Sequence, residues 1–180
     1  AHVAQCAAPG SASCGRGRAC VGVCVVDSPA MEPTAPPSAA APRFATEVRV
    51  RYADTDAAGV CYYANYLAFF EVARVELLRR LGLPIREAEA RGFVFPCVEA
   101  HVRYHRPAFL DDLLTVELWT TQVRRSSFAF GYRVTRGDEL IATGETRHAA
   151  VDPAGLRPVR LPDWLLALFE AAPATVHKAG

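Results

Sequence analysis

The chain has 180 residues, 51% of them hydrophobic, with 20 Lys plus Arg against 19 Asp plus Glu for a formal charge of +1. That length and apolar content suit one globular domain with a proper core. The near-zero charge argues against whole-surface attraction to nucleic acid or anionic membranes, and no apolar run reaches the ~20 residues that a membrane-spanning helix needs.

Residues 1–43 are rich in Ala, Pro, Ser and Gly and show no sustained period of 2 or 3.6, so they are expected to form a disordered leader or N-terminal extension. Four of the six cysteines, Cys6, Cys14, Cys20 and Cys24, lie there. Their spacing matches neither a disulfide framework nor the tight paired turns of common zinc sites, and they read as incidental thiols. The apolar run "ACVGVCVV" lacks a cleavage site leading into the folded part, and a cytoplasmic location is expected. Met31 is the only methionine. It is the expected native start, with residues 1–30 an extension.

From Phe44 the pattern changes. "FATEVRVRY" alternates Phe44, Thr46, Val48, Val50 and Tyr52 against Ala45, Glu47, Arg49 and Arg51, the mark of a half-buried strand. After the aperiodic run "ADTDAAGVCYYA", Asn65 stands as a candidate N-cap for "NYLAFFEVARVELLRRLG". Arg79 and Arg80 fall in that helix's last turn, Gly82 ends it and Pro84 follows. Tyr66, Phe70, Ala73, Leu77 and Leu81 form one stripe, and Leu67, Phe69, Val72, Val75 and Leu78 broaden it, so the helix is expected to be surrounded by protein.

A second short helix is predicted around "IREAEARG", followed by strands at about residues 95–106, 112–123, 126–136 and 139–152. "RGDE" at 136–139 supplies a two-residue Gly-Asp hairpin. "LPDWLLALFEAA" reads as a C-terminal helix with Pro162 and Asp163 at its start. The fold expected over residues 44–172 is α+β, a curved antiparallel sheet of about five strands wrapped around a central helix, with 173–180 a flexible tail. Such a layer leaves a sheet edge and face needing cover, so dimerisation is expected.

The succession of strand, "DTDAAGVCYYANY", apolar helix, "YHRPAFLDDLLTVE" and a last strand ending in Val151-Asp152-Pro153 resembles the hotdog-fold acyl-CoA thioesterases of the 4-hydroxybenzoyl-CoA thioesterase group, including the Tol-Pal-associated branch. The resemblance spans about residues 44–170. It implies that Asp56 acts as nucleophile or as general base for water, while Asp54 holds the loop and Gly59 gives clearance. It also implies that the Tyr63 backbone amide polarises the thioester carbonyl. The layout suits the chemistry, because thioester hydrolysis needs a carboxylate near the carbonyl carbon and donors aimed at the developing oxyanion, which a helix start supplies. Many Tol-Pal-branch members carry histidine at the position of Tyr63, and the 4-hydroxybenzoyl-CoA enzymes look closer to the "YYxNY" pattern here.

The resemblance further implies hydrolysis of acyl-CoA or aroyl-CoA, no metal or redox cofactor, and an active site between two subunits of a homodimer or homotetramer. An acyl carrier protein is an alternative donor of the acyl group. The candidate substrate-binding residues are Tyr66 and, for the CoA phosphates, Arg106, Arg124, Arg125 and Ser126. Glu71 and Arg74, three apart on the helix, read either as an ion pair or as a place where Glu71 orients water or substrate. Cys61 reads as buried filler rather than a nucleophile. Cys97, His101 and His105 suit a metal only on a helix, whereas the alternation there indicates a strand that spreads them ~13 Å apart. Two rival functions remain: a hotdog hydratase or dehydratase, which would need a histidine near the motif, and a non-catalytic acyl-CoA or acyl-carrier binding domain.

Overall fold

Each alternating segment of the sequence becomes a strand of one sheet. The computed structural model describes residues 44–170 and 175–177. The leader over 1–43, with Met31 and its four cysteines, lies outside the described residues. Strand β1 (Phe44–Arg49) leads through the motif to helix α1 (Asn65–Arg80) and the short α2 (Ile85–Ala90). Strands β2 (Cys97–Tyr104), β3 (Leu113–Val123), β4 (Ser127–Arg136) and β5 (Glu139–Ala149) follow, then α3 (Asp163–Glu170) and β6 (Thr175–His177). The strand order is β2-β5-β4-β3-β1-β6. Every neighbour is antiparallel except β6, which runs parallel to β1 and falls within the stretch expected as a tail.

Register shifts between Cys97 and Glu99, Thr120 and Gln122, and Val134 and Thr135 put irregularities in three ladders. Such bulges raise the twist and bend the sheet, which lets it curve around α1. The predicted hairpin is present: Arg136 pairs with Glu139 across Gly137 and Asp138, and Gly137 sits at φ 56°.

Helix α1 buries Tyr66, Phe69, Phe70, Ala73, Leu77 and Leu78, at the spacing that aligns one face with the sheet. Burial of each large apolar side chain is worth roughly 1.5–3 kcal/mol. Gly82 ends the helix at φ 75°; its N–H donates to the Arg79 carbonyl while the Leu83 N–H reaches the Leu78 carbonyl, satisfying two last-turn acceptors.

Three sequence expectations change. The first strand stops at Arg49 and the chain turns through a 3-10 turn at Tyr52–Asp54, leaving Tyr52 82% exposed rather than on the strand's inner face. The N-cap of α1 is Ala64, with no side-chain cap; the Asn65 amide instead donates to the Asp54 carbonyl at 3.0 Å. Helix α1 is not enclosed within one chain, because Leu67 and Val72, the latter 42% exposed, face outward.

At Gly144 the sheet packs tightly against a side chain of the helix. A Cβ there would stand 2.5 Å from Cε2 of Phe70, whose ring stacks on Tyr132 at 4.2 Å, and 2.7 Å from the His101 carbonyl oxygen. Gly144→Ala should therefore destabilise the domain by about 1–3 kcal/mol through overpacking. A melting temperature equal to that of the parent chain would show that the contact relaxes freely.

Candidate active site

The aperiodic run is a tight hairpin set against the start of α1. Thr55 and Cys61 form a bridge, the Asp56 N–H donates to the Val60 carbonyl at 3.0 Å, and the Gly59 N–H donates to the Asp56 carbonyl at 2.9 Å. Gly59 takes φ 75° with open space around it, a conformation that L residues resist. The hairpin is braced by the segment after β2: the Cys61 N–H donates to the Ala108 carbonyl at 2.8 Å, and Val60 bridges Phe109.

The two aspartates have opposite surroundings. Asp54 is buried, and its carboxylate accepts from the Arg51 backbone N–H at 2.8 Å, from Nε at 3.0 Å and from Nη2 at 2.9 Å. Those bonds hold its carboxyl below the usual carboxylate range. The Asp54 carbonyl also accepts from the Tyr62 N–H at 2.7 Å, so the residue ties both ends of the loop. Asp56 is exposed. Its Oδ1 accepts from the Ala58 N–H at 2.8 Å in an Asx turn, and its second oxygen carries no hydrogen bond among the described residues.

Tyr63 is 60% exposed, and its carbonyl accepts from the Tyr104 hydroxyl at 2.8 Å. That clamp joins the end of β2 to the loop just ahead of α1. The amides of Tyr63 and Ala64 lie there without an acceptor among the described residues. Tyr66 is buried, packed edge-on to Phe69 and Tyr104. Desolvation, together with the neighbouring Cys61, pushes its phenol up to about 12.

Cys61 is buried beneath the hairpin, and its thiol is pushed up to about 11, first by burial and then by the Asp54 charge. Burial therefore disfavours the thiolate, the form that a cysteine nucleophile needs. Cys61→Ala should leave turnover within about threefold and cost roughly 1–2 kcal/mol of stability from the lost packing. Loss of turnover without loss of fold in a steady-state assay would reopen the thiol chemistry.

The structure divides the remaining candidates. Arg106 lies at the motif end of the sheet, two residues before Ala108, with its Nε 3.9 Å from Glu139. Arg124, Arg125 and Ser126 form the β3–β4 connection, where the Arg124 N–H donates to the Ser127 carbonyl. They are separated from the motif by the 11 residues of β3, on the order of 30 Å at ~3.3 Å per residue. Within one chain they cannot line the same pocket as Asp56. Glu71 is exposed and makes no ion pair with Arg74 among the described residues. Both instead line a cavity of about 320 Å³ further along α1. Cys97 and His101 lie on β2 with His105 just beyond it, as the alternation indicated; the His101 ring meets Glu99 and the His105 ring meets Thr143. The Tyr104 clamp was not anticipated, since nothing in the sequence signals a pairing across 41 positions.

A curved sheet wrapped on one central helix, with an aspartate-bearing hairpin at the helix start, defines the hotdog thioesterase class. The thioesterase-like superfamily model matches residues 50–169, and the chain belongs to that family. It is 37% identical to the acyl-CoA thioester hydrolase YbgC of Escherichia coli, over 71% of this chain and 96% of that protein. It is 33% identical to the 1,4-dihydroxy-2-naphthoyl-CoA hydrolase of Synechococcus elongatus, over 64% of this chain and 90% of that protein. The crystal structure of a 1,4-dihydroxy-2-naphthoyl-CoA thioesterase from Synechocystis superposes with a TM-score of 0.66 at 28% identity, covering 72% and 97% of the two chains.

Proposed function

We propose that the chain hydrolyses acyl-CoA or aroyl-CoA thioesters to the free acid and CoA, with Asp56 delivering the attack and the Tyr63 amide polarising the carbonyl. The observation that carries this reading is the exposed Asp56 carboxylate, fixed through one oxygen by the Ala58 amide, in a loop that runs into the amides of Tyr63 and Ala64 at the start of α1. A carboxylate aimed by its own backbone loses little freedom on reacting, and amides at a helix start stabilise negative charge on oxygen.

In the water-mediated form Asp56 takes a proton from water as its oxygen bonds to the carbonyl carbon. The intermediate collapses by breaking the C–S bond, and the proton passes to the departing CoA thiolate. In the covalent form an Asp56 oxygen bonds to that carbon, the C–S bond breaks and CoA leaves as the thiolate; water then adds to the mixed anhydride, releasing the acid, restoring the Asp56 carboxylate and supplying the proton that the thiolate takes up.

Arg106, at the motif end, is the candidate for CoA phosphate contact within the chain. Arg124, Arg125 and Ser126 could contribute only from a second copy in a homodimer or homotetramer. Glu71 is the weakest member of the catalytic set, being exposed and about 12 Å along the helix axis from Tyr63 at ~1.5 Å per residue. The reaction is assigned to the cytoplasm, where CoA thioesters are made, and an acyl carrier protein offers the same thioester chemistry. The test is release of free thiol from a panel of straight-chain, branched and aromatic acyl-CoAs and acyl carrier proteins. Tight binding with no thiol released from any of them would favour a non-catalytic binding domain.

A further inference from the structure

The chain enters α1 through a turn whose carbonyls are engaged and whose central amides are not. The Tyr62 N–H donates to the Asp54 carbonyl at 2.7 Å, and the Asn65 N–H donates to the Tyr62 carbonyl at 3.0 Å. The second of these bonds closes a β-turn with Tyr63 and Ala64 at its centre. The Asn65 side-chain amide adds a bond to the Asp54 carbonyl at 3.0 Å. The Tyr63 carbonyl takes the Tyr104 hydroxyl at 2.8 Å. The N–H groups of Tyr63 and Ala64 are left without an acceptor among the described residues.

A peptide unit joins the carbonyl of one residue to the N–H of the next in one plane, and in the trans form the two point opposite ways. The Tyr104 hydroxyl therefore acts on the unit that carries the Ala64 N–H, not on the unit that carries the Tyr63 N–H. A donor on the carbonyl fixes the tilt of that plane, so the Ala64 N–H is held pointing away from Tyr104. The same donor draws electron density toward the carbonyl oxygen and leaves the N–H more positive. Hydrogen bonds linked in this way strengthen one another by on the order of 10–30%. The Tyr63 N–H belongs to the unit whose carbonyl accepts from Asn65 within the turn, so of the two amides only that of Ala64 is governed by a group from the sheet.

Tyr104 is firmly placed for this contact. It is the last residue of β2, paired with Ala142, and the amides of His105 and Arg106 beyond it both donate to the Ile141 carbonyl. Its ring packs edge-on against the buried Tyr66 at 5.1 Å. Desolvation, and then the neighbouring Tyr63 and Cys61, raise its phenol, so the hydroxyl keeps the proton that it donates. Tyr104 is 45% exposed, and water can meet its hydroxyl, so its own burial does not require the bond. The bond serves the loop.

Resting on the proposed thioester hydrolysis, we infer that Tyr104 is a positioning residue for that reaction: its hydroxyl sets the Tyr63–Ala64 peptide so that the Ala64 N–H joins the Tyr63 amide as a second donor to the thioester oxygen. Charge on that oxygen grows as the carbonyl becomes tetrahedral, and a strengthened amide contributes most at that stage. Tyr104 acts through the peptide and not on the substrate.

Two variants test this. Tyr104→Phe keeps the ring against Tyr66 and deletes only the hydroxyl, whereas Tyr104→3-fluorotyrosine keeps the hydroxyl and makes it a stronger donor. In the nitrogen-15-labelled chain without substrate, the Ala64 amide nitrogen should move upfield in the first and downfield in the second, with the Tyr63 nitrogen moving less in both. Turnover of the best acyl-CoA should follow the same order. For Tyr104→Phe kcat should fall about tenfold with KM within about twofold, since losing an oxyanion donor outright costs ~10²–10³ and here the donor is weakened but kept. For Tyr104→3-fluorotyrosine kcat should exceed that of the parent. A clamp that only shapes the loop would respond to loss of the hydroxyl but not to its acidity.

An Ala64 nitrogen that does not move overturns the inference, and the fluorinated chain alone shows this if Tyr104→Phe fails to fold. A kcat indifferent to the acidity of the hydroxyl overturns it too, as does a folded Tyr104→Phe whose loss lies in KM. A graded Ala64 shift in a chain that hydrolyses no thioester would uphold the link from Tyr104 to Ala64 and strike the proposed reaction instead.

Discussion

Asp56→Asn should lower kcat for the best acyl-CoA substrate by about a thousandfold while leaving the fold intact. The asparagine Oδ1 can still accept from the Ala58 N–H, so the Asx turn that shapes the hairpin survives and the melting temperature should stay within about 2 °C of the parent. What the amide cannot do is take a proton from water or form the mixed anhydride. The comparison thus separates the reactive role of Asp56 from its part in the turn. Undiminished turnover would remove it from the reaction, whereas a large drop in melting temperature would show that the carboxylate mainly shapes the loop. Single turnover in oxygen-18 water then distinguishes the two forms of attack: label incorporated into the Asp56 side chain indicates the anhydride, and label confined to the released acid indicates direct attack by water.

Asp54→Ala should destabilise the domain by about 1–3 kcal/mol at pH 7, because it leaves the Arg51 amide unmet and removes the carboxylate that pins the loop. The lower end is the better expectation, since the Arg51 side chain is largely exposed and water screens part of the attraction. Turnover should fall as well, through misplacement of Asp56 and of the Tyr63 amide rather than through lost chemistry. The pH dependence has a definite sign. The folded-state pKa of Asp54 is depressed, so its contribution is present in full above the unfolded carboxylate value of about 4 and is lost as pH falls through the lower folded value. The stability difference between the parent and Asp54→Ala, from urea titrations, should be flat from about pH 5 to 8 and shrink below about pH 4. A difference that persists undiminished at the acid end would mean that the neutral side chain's packing, not its charge, holds the loop.

The sheet was legible because alternation sorts residues between two faces whatever lies beyond the strand. Val116 and Leu118 on β3 and Ile141 on β5 are buried where their period put them. The stop of α1 at Gly82 was equally local, since a residue that tolerates positive φ was needed there. Its start was misread because Asn65 makes its amide bond across the loop to the Asp54 carbonyl, a partner that propensity does not reveal. Among the proposed site residues, Asp54, Asp56 and Gly59 were singled out through the resemblance that the motif carries, and the burial of Cys61 followed its residue type.

The sequence by itself determined the strand periods, the helix that fills the sheet and the hairpin residues, because each depends on neighbours within a few positions along the chain, while the aspartate to suspect came from the resemblance of the whole succession of motifs. Only the tertiary structure decided which distant groups meet. It put the Tyr104 hydroxyl on the Tyr63 carbonyl, set Arg124 and Arg125 a full strand away from the motif, and left Arg74 half-buried in an apolar cavity. Contacts between positions far apart follow from how the sheet curves over the helix, and that curvature depends on bulges and close packing that no short window of sequence contains.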